Sequence, residues 1–101
     1  MLLEVRSASR KTPADGRFEI SGGTARRLAA LDAPVEIFLD DLSGTGRLEE
    51  LSCTCQKAGA PHAHHFLVCD LFRTMIPERT YAVELTESRV VRVTSAHDGL
   101  R

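Results

Sequence analysis

Of the three cysteines and four histidines in this chain, six lie between Cys53 and Cys69, in the stretch Cys-Thr-Cys-Gln-Lys-Ala-Gly-Ala-Pro-His-Ala-His-His-Phe-Leu-Val-Cys; only His97 falls outside it. The chemistry that most economically gathers thiols and imidazoles is metal ligation. Zinc takes four ligands in a tetrahedron, from thiolate sulfur and imidazole nitrogen. Cys53 and Cys55 stand two apart on a predicted strand, so both side chains leave one face of it. Gly59 and Pro61 let the chain fold back and return His62, His64 and His65 past the strand end. The expected ligands are Cys53 and Cys55 with two of the three histidines, His62 and His64 first and His65 as the close substitute. Four protein ligands close the site and make it structural, whereas three would leave a position open for water and chemistry.

Two other readings compete for the same residues. Cysteine packs as a small hydrophobe in cores, so Cys53 and Cys69 could line the sheet above a solvated histidine loop. A thiol beside a histidine could also be a redox or nucleophilic group, its pKa lowered by its neighbour. No third, orienting residue is evident in the sequence.

A second pattern lies upstream. Arg6-Ser-Ala-Ser-Arg10 is followed, thirty-one positions on, by Asp41-Leu-Ser43-Gly-Thr-Gly46. In that order the two fragments resemble the signature pieces of PilZ domains, small β-barrels that bind cyclic di-GMP. The resemblance implies that Arg6 and Arg10 clamp guanine and phosphate, a task suited to guanidinium forks. It makes Asp41, Ser43 and Gly46 the contacts from the barrel. It covers about a tenth of the chain, and the interval contains a predicted helix where that family runs on in strands. Read without the resemblance, the same residues are an exposed arginine pair and an ordinary turn.

The rest of the composition bounds the answer. One hundred and one residues make a single domain, 1–101, with 43% hydrophobic and 27% charged residues and a net charge of −1. That balance argues against tight non-specific nucleic-acid binding, which needs many phosphate contacts. One tyrosine, four phenylalanines and no tryptophan make an aromatic platform for single strands improbable. Eleven arginines against two lysines suggest GC-rich coding and a bacterial source. The opening Met-Leu-Leu-Glu-Val-Arg has no signal-peptide pattern and no apolar run reaches the length of a membrane span. A cytoplasmic, reducing setting is the expectation, and there cysteine clusters read as metal or redox sites. Phosphate-binding loops, dinucleotide fingerprints and hydrolase elbows are missing from the sequence.

The elements that must position these residues follow from alternation and breakers. Strands are expected at Leu2–Ala8, Arg17–Ile20, Val35–Leu39, Arg47–Thr54 and His64–Val68, and a hairpin at Thr80–Leu85 and Arg89–Val93. Arg10–Gly16 and Asp40–Gly46 read as a loop and a turn, and Gln56–Ala63 as a loop. Thr24–Leu31 reads as a helix, capped by Ser21 or Thr24 and ended by Pro34, and Asp70–Ile76 as a second short one. The tail from Thr94 reads as polar and frayed. The expected class is α+β and mostly β: a small, mostly antiparallel sheet or partly open β-barrel of about six short strands with one or two short helices. The expected role is a non-enzymatic binding or interaction domain with a structural zinc site, docking an unknown protein or small molecule. A PilZ-like cyclic di-GMP regulator and a small metal- or cysteine-dependent enzyme are the alternatives.

Overall fold

Alternating aliphatic side chains build the sheet. In the computed structural model, which describes residues 1–30, 34–53, 62–87 and 89–95 (of 52, 53 and 62 the backbone alone), the elements run in the order β1 (Leu2–Ser7), α1 (Lys11–Asp15), β2 (Arg17–Ile20), α2 (Gly22–Ala29), β3 (Val35–Leu39), β4 (Leu42–Cys53), β5 (His62–Val68), a 3-10 turn (Asp70–Thr74), β6 (Thr80–Leu85) and β7 (Val90–Ser95). The seven strands form one sheet in the order β1-β6-β7-β3-β4-β5-β2. All pairs are antiparallel except β3 with β7, which is parallel. The fold is therefore the mostly-β, barrel-like α+β domain the sequence implies, with the sheet mixed rather than uniformly antiparallel.

The sheet curls until its edge strands β1 and β2 face each other across a seam that side chains close. The Ser21 backbone N–H donates to Glu4 Oε1 at 2.9 Å, and Arg6 lies 3.0 Å from Glu4 Oε2 and 3.9 Å from Glu19 Oε2. Burial raises the Glu4 pKa, but hydrogen bonds from Thr24 and Ser21 and the Arg6 charge outweigh it and hold the carboxyl below the ordinary glutamate range. Inside the curl lie Phe18, Ile20, Ile37, Leu39, Leu67, Phe72, Tyr81, Val83, Val91 and Val93, all buried. Phe18 packs its ring against Phe72 and, edge-on, against Tyr81, a geometry that aromatic quadrupoles favour.

α2 covers one end of the barrel. Ser21 caps it, its hydroxyl accepting from the Thr24 N–H at 3.2 Å, which satisfies one of the free donors of the first turn. Thr24, Ala25 and Leu28 face the core, while Arg26, Arg27 and Ala29 are exposed. The helix thus starts two residues before the expected Thr24, and its expected end at Leu31 lies outside the described residues.

Three local readings are corrected. Lys11–Asp15 is a helical turn, not a loop. It ends at Gly16, whose φ of 69° is a left-handed conformation and whose Cβ, if present, would sit 3.1 Å from the Cys69 carbonyl oxygen; both reasons call for glycine. Asp40–Gly46 is likewise not a turn throughout. Only Asp40 and Asp41 make the bend, and β4 starts at Leu42. The Asp40 carboxylate accepts from the Ser95 N–H and hydroxyl at 3.0 and 2.7 Å, which fastens the bend to β7. Thr94 and Ser95, expected in a frayed tail, are paired residues of β7; residues 96–101 lie outside the described residues.

Candidate functional site

β4 and β5 form the longest ladder in the sheet, with rungs from Arg47↔Val68 through Leu48↔Leu67, Glu49↔Phe66, Glu50↔His65, Leu51↔His64 and Ser52↔Ala63 to Cys53↔His62. The register has no shift along its length, so the strand period of two sorts its residues cleanly between faces. Leu67 faces inward and is fully buried, as is Phe18, its neighbour on β2. His65 is on that inward side, two residues on, opposite the buried Ile20 of β2. Its Nδ1 lies 3.8 Å from Glu50 Oε1, and its ring sits against Gly22 at the start of α2.

His64 belongs to the outward side. It stands with Phe66 and Glu19, and its Nδ1 is 2.8 Å from Glu19 Oε2. Glu19 is opposite Phe66 on β2, one diagonal step from His64, a separation that a glutamate spans. Glu49 of the same face pairs with Arg17 across β5. An open groove of about 330 Å³ runs beside these residues, with Lys11 and Arg17 on one wall and Leu51, His64 and Phe66 on the other.

The two described histidines therefore point to opposite sides of β5 and do not converge on one point. Cys53 is directly opposite His62 in the backbone ladder, while Cys55 lies outside the described residues, as does most of the expected loop 56–63. Among the described residues, no group of three or more His, Cys, Asp or Glu side chains is placed to hold an ion. Cys69, the remaining thiol, is buried in the core. Burial, helped by the Asp70 carboxylate, pushes its pKa up against a hydrogen bond from the Leu71 backbone, so near neutrality it is a protonated core side chain rather than a nucleophile.

The arginine and turn fragments sit at one end of the barrel but on strands far apart in the sheet. Arg6 is on β1, Arg10 precedes α1, and Asp41 is in the β3–β4 bend; β6, β7 and β3 separate β1 from β4. Arg6 is engaged by Glu4 and Glu19. Asp41 and Ser43 are exposed. Gly46 faces the core, and a Cβ there would meet Ile37 Cδ1 at 2.4 Å and the Val68 carbonyl oxygen at 2.8 Å, so its lack of a side chain is a packing requirement of the ladder.

Sequence reasoning missed Glu19. It is the residue at which both patterns meet: Oε2 takes His64 on one side and Arg6 on the other. The only sequence signal was its place on β2, outward between the buried Phe18 and Ile20. No family model, curated protein or solved structure matches this chain. No helix among the described residues is long and apolar enough to cross a membrane.

Proposed function

We propose that this chain is a small non-enzymatic binding domain whose β4–β5 hairpin is closed by a zinc ion and presented to a partner. The observation that carries the reading is the register of Cys53 against His62. Directly opposed residues on antiparallel strands have Cβ atoms about 4.5–5.5 Å apart, a separation that lets one ion bridge a thiolate and an imidazole. The period of two assigns positions 53, 62 and 64 to one side of the ladder. Cys55, two residues beyond Cys53 in sequence, supplies the second thiolate of a Cys2His2 set. Such a set has no open position, so the ion holds structure rather than performing chemistry.

The reading also answers a need of the fold. Beyond Leu48 and Leu67 the inward rungs of the ladder are Glu50 with His65 and Ser52 with Ala63, and past His65 β2 no longer flanks β5. Hydrogen bonds alone hold a two-stranded ribbon poorly in water. A metal at its end supplies the missing constraint, because the free energy of binding becomes free energy of folding.

Elemental analysis of the purified protein tests this directly. The expected result is about one zinc per chain, lost in Cys53→Ser and retained in Cys69→Ala, with a chelator lowering the Tm of the native protein and of Cys69→Ala alike. Protein free of zinc after purification and after incubation with zinc would overturn the reading.

A further inference from the structure

We infer that two copies of this chain pair through the outer face of β1, β6, β7 and β3. They are related by a two-fold axis that runs along the strands between β6 and β7 and sets Glu84 of each copy on Arg92 of the other. The inference is independent of the zinc reading and concerns a different part of the sheet.

Each of these strands turns one side to the core and the other outward. Tyr81, Val83, Val91, Val93, Ile37 and Leu39 are buried, so the strand period leaves Ala82, Glu84, Arg92, Thr94 and Phe38 outward. Beside them on β1 stand Leu2 and Val5, aliphatic side chains 56% and 54% exposed, opposite Glu84 and Ala82. The two helices pack chiefly elsewhere, α1 on β2 and the 3-10 turn, α2 on β4 and β5. Aliphatic residues grouped on an open sheet face, rather than scattered singly, mark a contact surface.

The rungs indicate what fits on it. Leu2, Glu84, Arg92 and Phe38 form one row across the four strands. The row has an apolar residue at each end and opposite charges in the middle. The next row carries Ala82 opposite Thr94. A half-turn about an axis between β6 and β7 sets β6 of one copy over β7 of the other, and β1 over β3. Each row then meets itself reversed: Glu84 on Arg92, Leu2 on Phe38, Ala82 on Thr94. An isologous contact makes every such interaction twice. Neither Glu84 nor Arg92 has an ion pair or a side-chain hydrogen bond among the described residues, so both are available to a neighbour. The axis also keeps the strands of the two faces aligned, the arrangement in which twisted sheets stack. A second copy carries the complementary order of charge and apolar side chains by construction.

Sedimentation equilibrium of the full chain reads the outcome. Native protein should be a dimer at micromolar concentration, with and without a chelator, since the proposed metal site lies on β4 and β5. Arg92→Glu sets acid against acid, and Glu84→Arg sets base against base; each should weaken self-association about tenfold or more. Mixed in equal amounts, these two variants should pair with each other, because the acids of one then face the bases of the other. Leu2→Lys should also weaken pairing, while Arg26→Glu, on the exposed side of α2, should pair like native protein. Circular dichroism should show the native fold in all of them. A native chain that stays monomeric up to its solubility leaves the face to solvent or to a different protein and overturns the inference. So does a dimer that survives both charge reversals, or one lost in both that mixing fails to restore.

Discussion

The hairpins β4–β5 and β6–β7 use the same antiparallel ladder and are held in different ways. In β6–β7 every inward rung lies over the core: Tyr81 is buried, Val83, Val91 and Val93 are fully so, and Leu85 packs against them. In β4–β5 the base resembles this, with Leu48 against Leu67 and Gly46 pressed onto Ile37, but the inward side turns polar at Glu50 and His65 while pairing continues to Cys53 and His62. Burial is enough for the first. For the second it is enough only at the base. Past that base the ladder carries positions 53, 62 and 64 on one side, which is where the proposed zinc site would hold it.

The comparison breaks most severely if the base of β4–β5 tolerates bulk. Gly46→Val should cost about 3 kcal/mol in urea unfolding, because the Val68 carbonyl oxygen that its Cβ meets is backbone and cannot swing aside. A near-native midpoint would mean that the base is as loose as the end. Val83→Ala in the other hairpin should cost about 2 kcal/mol through lost burial and the cavity left behind. Its loss should be the same with and without a chelator, since the proposed metal site lies in the other hairpin.

The seam between β1 and β2 adds a third means of holding strands, and pH reads it out. The Glu4 carboxyl titrates below its unfolded value in the native state, so the unfolded chain takes up the proton first as the solution is acidified. The stability Glu4 contributes is thus present above the ordinary glutamate pKa, about 4.3, and disappears as pH falls through the lower native value. Glu4→Gln should cost about 1.5 kcal/mol at neutral pH and flatten the acid limb of the stability curve; an unchanged limb would assign the acid sensitivity to other carboxylates. The smallest effect belongs to the exposed Glu50 at the far end of β4. Glu50→Ala should stay within about 0.5 kcal/mol of native in thermal unfolding. A larger loss would show the polar rung with His65 holding the ribbon by itself.

What the sequence made legible was local. Val35, Ile37 and Leu39 announced β3 by alternation, and Tyr81, Val83 and Val91 did so for the C-terminal hairpin; all are buried. Gly44 and Gly46 misled because glycine marks turns and close backbone approaches alike, and only the neighbouring strand distinguishes them. Lys11–Asp15 was too short for periodicity to register as a helix. Glu19 was invisible for a deeper reason: its meaning lies in His64 and Arg6, residues on other strands that no local pattern joins to it. The same holds for the parallel pairing of β3 with β7, which unites segments more than fifty positions apart.

That parallel pairing also bears on how the molecule is made. A ribosome delivers β1 to β5 before β6 and β7, and of these only β3, β4, β5 and β2 are neighbours in the finished sheet. The N-terminal strand has no mate until β6 emerges, and β3 carries an open hydrogen-bonding edge until β7 slots in between it and β6. An open edge is a template for strands of other chains. During synthesis the growing polypeptide is therefore most prone to join a neighbouring copy while some fifty residues separate the emergence of β3 from that of β7, and the interior position of β7 means that a single late strand removes the hazard.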